Sequence, residues 1–159
     1  MTTKDIDRGY DQAYKNMLDM AKKPYVKIGI INNKKYEKTD NKKTSPLTIV
    51  EVATYNEFGT RKIPERSFLR STADENKNKW PKKFEPLQNQ MITGKIKVKK
   101  ALSLAGLAIE ADIRKMIQRT NPKWKPLALK TIKRKKSSRP LIDTGQLINS
   151  IASKVVMNK

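Results

Sequence analysis

Neither cysteine nor histidine occurs among the 159 residues of this chain. Without cysteine there are no disulfides and no thiolate chemistry. Without histidine the commonest general base and the commonest zinc ligand are gone. No run of about 18 apolar residues occurs, so nothing reads as a membrane span. Residues 1–7 carry acids and no apolar segment, which does not read as a secretory signal; the expectation is a protein made and used without export. Acids are scarce as well, 15 against 36 lysines and arginines, for a net charge of +21.

That charge is uneven. Residues 1–80 hold 17 basic and 11 acidic side chains, residues 81–159 hold 19 and 4. A chain this basic binds polyanions at low salt by releasing their counterions, whether or not such binding is its task. The heavy use of lysine and asparagine also fits an AT-rich genome. Hydrophobic residues make up 36% and charged residues 32%. This balance predicts one domain over residues 1–159 with a small core, suited to completing its burial against neighbouring subunits.

Periodicity gives an outline. Ile6, Tyr10, Ala13 or Tyr14, and Met17 recur at helical spacing, predicting a helix over 5–21 that Pro24 ends. Residues 25–31, Tyr-Val-Lys-Ile-Gly-Ile-Ile, read as a strand. Residues 32–44, with five lysines, read as a mobile polar loop or hairpin tip. Ser45 as N-cap with Pro46 in the first turn predicts a helix through Phe58, closed by Gly59. A polar helix from Ser67 onward is interrupted by Pro81 and Pro86, giving two pieces or a kink. The clearest helix is 98–120, where Leu102, Ala105, Ile109, Ile113 and Met116 form a stripe fit for the spine of the core. Residues 128–136 predict a short basic helix, with 130–139 a basic and flexible segment. Asp143 is placed to cap a last short helix over 144–150. Residues 151–156 read as a final strand pairing antiparallel with 25–31. The expected class is α+β: a small antiparallel sheet packed against one long helix and several shorter ones.

Three segments stand out. The first is Tyr55-Asn56-Glu57-Phe58-Gly59-Thr60-Arg61-Lys62-Ile63-Pro64-Glu65-Arg66-Ser67-Phe68-Leu69-Arg70. Its plain reading is a helix-turn-helix joint with Phe68 and Leu69 plugging the core. The second is Trp124-Lys125-Pro126-Leu127, followed by Thr131 and Lys133. The third runs from Pro140 through Asp143-Thr144-Gly145 to Ile151. In this order, over roughly residues 47 to 157, the three blocks resemble a family of tailed-bacteriophage neck and tail-completion proteins.

The resemblance implies a virion protein without turnover, cofactor or metal. It would act as a ring of six or twelve copies between a head-side connector and the tail tube or tail terminator. The same resemblance places Asn56, Glu57, Phe58, Gly59, Arg66, Phe68, Arg70, Trp124 and Asp143 at subunit or partner contacts. Charge pairs across such a contact set register between protomers. Lys133, Arg134, Lys135 and Lys136 are candidates for contact with an acidic surface or with DNA in the lumen, which needs only charge.

Other classes fare worse. Asp143-Thr144-Gly145 is a single copy of a motif that an aspartic protease needs twice, within an all-β fold. Glu110 and Asp112 stand two apart on a helix and point to different faces, so they do not make a metal pair. A stand-alone nucleic-acid binder is the alternative. It rests on charge, because Trp124 is the only aromatic near the 130–136 run that could stack on a base.

Overall fold

A computed structural model of the chain describes residues 9–31, 34–37, 44–119, 121–135 and 137–158. Helices dominate: α1 Tyr10–Ala21, α2 Ile49–Phe58, α3 Phe68–Asn76, α4 Trp80–Ile92, α5 Val98–Arg119, α6 Leu129–Lys135 and α7 Gln146–Asn149. The strands are β1 Tyr25–Ile30, β2 Lys35–Glu37, β3 Thr44–Thr48 and β4 Ile151–Val156. They form two antiparallel ribbons, β1–β4 and β2–β3. The class is α+β, with α5 as the long helix.

The expected pairing of the first and last strands is present, with Tyr25 opposite Val156 and Ile30 opposite Ile151. This ribbon lies on α5, and Gly106 makes the close approach tolerable. A Cβ there would stand 2.7 Å from Ser153 Oγ, 2.9 Å from Ser153 Cβ and 3.1 Å from Val26 Cγ1. Gly106→Ala should therefore push the ribbon off the helix and destabilise the fold by about 1–3 kcal/mol, the usual range for overpacking. A urea melt checks this.

The core lies where α5, α2 and α3 meet the C-terminal segment. Phe68 and Ile117 are fully buried, joined by Ile49, Met116, Leu141, Leu147 and Ile151. On α5 the buried side is Val98, Ala101, Gly106, Glu110, Ile113, Met116 and Ile117. It is rotated slightly from the predicted stripe, of which Leu102 and Ala105 are half-buried. Arg114 fastens the same helix to the last turn, donating to the Ile151 carbonyl at 2.6 Å and pairing with Glu110 at 3.1 Å.

Several expectations need correcting. Residues 5–8 of the first predicted helix, and part of the 32–44 segment, lie outside the described residues. What is described of that segment pairs as β2 with β3, with an irregular register between Lys35 and Glu37. Residues 44–48 are strand, so Ser45 does not cap a helix. Thr48 does: its hydroxyl accepts from Glu51 N at 3.2 Å while the Glu51 carboxylate accepts from Thr48 N at 2.7 Å. Such a reciprocal box needs Thr and Glu three apart, and proline is tolerated on a two-stranded ribbon. The break in the polar helix falls at residues 77–79. Pro81 then occupies the first turn of α4, where its missing N–H costs nothing, while Pro86 stays inside that helix.

The capping box carries a pH signature. Hydrogen bonds from the Thr48 backbone and then its hydroxyl hold Glu51 below its ordinary carboxylate value. A depressed folded-state value means the contribution is complete above the ordinary glutamate range and disappears as pH falls through the depressed value. Glu51→Gln should flatten the acid limb of a stability-versus-pH curve, and leave the neutral limb parallel to that of the parent.

Candidate functional site

The joint between α2 and α3 is rigid, for reasons visible in its sequence. Gly59 has φ 74° and ψ 170°, a conformation nearly confined to glycine. A Cβ there would sit 3.0 Å from Glu65 N. Thr60 N donates to Ile63 O at 2.7 Å, and Arg66 N to Asn56 O at 2.7 Å, closing the turn that Pro64 prepares. The Asn56 side chain donates back to Val52 O at 2.7 Å.

Glu57 is the fastening of this joint. Ser67, at the N-cap of α3, makes no side-chain cap bond; its hydroxyl meets that of Ser71 instead. The Glu57 carboxylate supplies the cap from the preceding helix, accepting from Leu69 N at 2.9 Å and Arg70 N at 3.0 Å. A carboxylate there also meets the positive end of the helix dipole. Arg70 then clamps it from outside, with Nε 3.1 Å from Glu57 and a second contact to Glu65 at 2.9 Å. Its guanidinium lies 4.8 Å from the centre of the Phe58 ring. The hydrogen bond to Glu57 is the first cause that raises the Arg70 pKa above its ordinary value.

The three sequence blocks meet. Around one cleft of about 230 Å³ stand Asn56 and Arg66 from the first, Leu127 and Thr131 from the second, and Leu141 and Asp143 from the third. Tyr36 of β2 and Lys135 of α6 complete the wall. Arg66 is 4% exposed. One of its terminal nitrogens donates to Lys125 O at 3.1 Å, and its Nε has no partner among the described residues. Burial pushes its pKa down. Asp143 accepts from the Tyr36 hydroxyl at 3.1 Å.

Comparison with family models, curated proteins and solved structures finds no match to this chain. The site is thus read from its own residues.

Of the predicted contact residues, Glu57, Arg66, Phe68 and Trp124 are buried inside the protomer. Glu57 therefore fastens a helix rather than presenting a charge. Phe58 is 63% exposed, and the Arg70 side chain is half exposed. The N-cap of α7 is Gly145, at φ 77°, and not Asp143. The helix starts at Gln146, later than a cap at Asp143 requires, and the Asp143 carboxylate accepts from the Tyr36 hydroxyl. Lys133 is exposed on α6. Lys135 is half-buried and donates to the carbonyls of Arg139 and Pro140. Nothing is described of the Arg134 side chain, and Lys136 lies outside the described residues. Glu110 and Asp112 do face different partners: Arg114 for the first, Trp80 Nε1 at 2.9 Å and Lys83 at 3.1 Å for the second.

A second surface escaped the sequence reading. Most of the helical stripe on α1 lies outward: Tyr10, Tyr14 and Met17 are exposed, while Ala13 is half-buried. The buried residue of α1 is Asn16, whose amide donates to the carbonyls of Met91 and Ile96, both at 2.8 Å. Between α1 and α4 runs a shallow groove lined by Met17, Met20, Met91 and Ile92. Met17 and Ile92 are each 70% exposed. The available signal was that Met, Leu and Tyr occur on both sides of α1, more than one buried stripe needs. Among the described residues no helix is long and apolar enough to cross a membrane.

Proposed function

We propose that the protein is a structural virion component of a tailed phage. It acts as a homo-oligomeric ring in the neck or at the head-proximal end of the tail. The observation that carries this reading is the apolar face of α1 and α4, with Met17 and Ile92 each 70% exposed. A protomer with so small a core and so much uncovered apolar surface is suited to finishing its burial against neighbours. The stiff Asn56–Arg70 joint, with Phe58 and Arg70 at its surface, offers a second contact that cannot sag. Repeated around a ring, contacts that are weak singly hold firmly together, so the same chain can be monomeric before assembly. The alternative, a nucleic-acid binder using phosphate contacts, draws on charge, and Lys135 is already engaged by two carbonyls.

Deleting the gene from the parent phage should yield DNA-filled heads beside separate, complete tails in electron micrographs of the lysate. Complementation with the Met17→Asp, Ile92→Asp double variant should fail, although that protein keeps the parent circular dichroism. Normal infectious particles from the deletion would refute the reading.

A further inference from the structure

The cleft at the meeting of the three blocks holds a buried arginine that forms no ion pair among the described residues. Arg66 is buried, yet no Asp or Glu among the described residues lies within ion-pair distance of its guanidinium. Arg70, whose side chain is half exposed, pairs with two carboxylates. Asp143 lines the same cleft, and its carboxylate accepts from the Tyr36 hydroxyl. Burying a cation without a counter-charge is costly. Native interiors seldom leave a buried donor such as the Arg66 Nε unmatched, and an absent partner is one explanation.

We propose that this cleft is the docking pocket for an acidic side chain of a partner protein, whose carboxylate enters beside Arg66 and supplies the missing counter-charge. Size and depth choose the occupant. A space of about 230 Å³ admits the end of an Asp or Glu side chain, with Leu127 and Leu141 against its methylenes. The backbone of a duplex is too broad to bring a phosphate to an arginine that is 4% exposed. A planar guanidinium suits a carboxylate geometrically as well. The net charge of +21 favours an acidic partner over another copy of this chain. The inference rests on the proposed function only in treating the protein as a binding module. Its test reads the cleft directly and is independent of what the phage deletion shows.

The test uses the full chain labelled with nitrogen-15. It follows the Arg66 Nε–H and Gly145 amide resonances during titration with acetyl-Glu-Gly-Glu-Gly-amide. Both should shift and saturate, while the glutamine version of the peptide and a short DNA duplex leave them in place. In Arg66→Gln the Gly145 shift should require about tenfold more peptide, the equivalent of one charge-assisted hydrogen bond. Because that variant also loses the bond to Lys125 and could unfold, Leu127→Trp provides an independent check. It leaves Arg66 in place, fills part of the cleft and should require about tenfold more peptide. Unmoved resonances, equal shifts from the glutamine peptide, larger shifts from DNA, or unchanged or tighter binding by Leu127→Trp would each overturn the proposal.

Discussion

Glu57→Ala should lower the unfolding free energy by about 3 kcal/mol, the cost of stripping partners from a buried, multiply bonded carboxylate. The exposed side of the ion pair is a small part of this, because the Arg70 side chain is half solvated. The larger part is the pair of amides at Leu69 and Arg70, which Ser67 does not cap and which would lose their acceptor. Glu57→Gln keeps one acceptor oxygen and exchanges the other for a donor facing a donor. It should fall between parent and alanine. Chemical denaturation followed by circular dichroism decides the order. If glutamine proved as stable as glutamate, the cap described here would be wrong.

Phe68→Ala should cost about 3–5 kcal/mol, at the upper end for a core truncation. Phe68 is fully buried in the cluster that joins α5 to the C-terminal segment, leaving little freedom to collapse around the gap. Thr72, itself buried, donates to the Phe68 carbonyl and stiffens the same turn. The two substitutions touch the start of one helix, so their effects should not add. The double variant should lose less than the separate losses combined, because once α3 frays the second defect has less to disrupt.

Much of this architecture could be read from residue patterns. The β1–β4 pairing followed from two β-rich segments, and α5 from a stripe long enough to outweigh its neighbours. Boundaries decided by one side chain were harder. Ser45 and Thr48 are both plausible caps in sequence; the glutamate three residues beyond Thr48 decides between them. Asp143 resembles a cap, but the left-handed Gly145 takes the N-cap position. The joint at 56–70 was visible through its glycine and proline, but the inward turn of Glu57 was not, since charge in a sequence carries no direction. The convergence of three distant blocks on one cleft depends on tertiary packing, which periodicity does not encode. The outward apolar face of α1 went unseen because a stripe of Tyr and Met reads the same whether it meets its own core or a neighbour's.

The pairing of Tyr25 with Val156 and Ile30 with Ile151 also bears on how the chain is made. Synthesis proceeds from the first strand to the last, so β1 emerges early and waits for almost everything else before its partner exists. Throughout that interval the edge of β1 is unpaired, and once α5 has been made the face that Gly106 prepares for the ribbon is bare. Non-local pairing of this kind closes late and slowly. Until then the nascent chain carries an open strand edge, a feature that chaperones or early subunit contacts shield from aggregation.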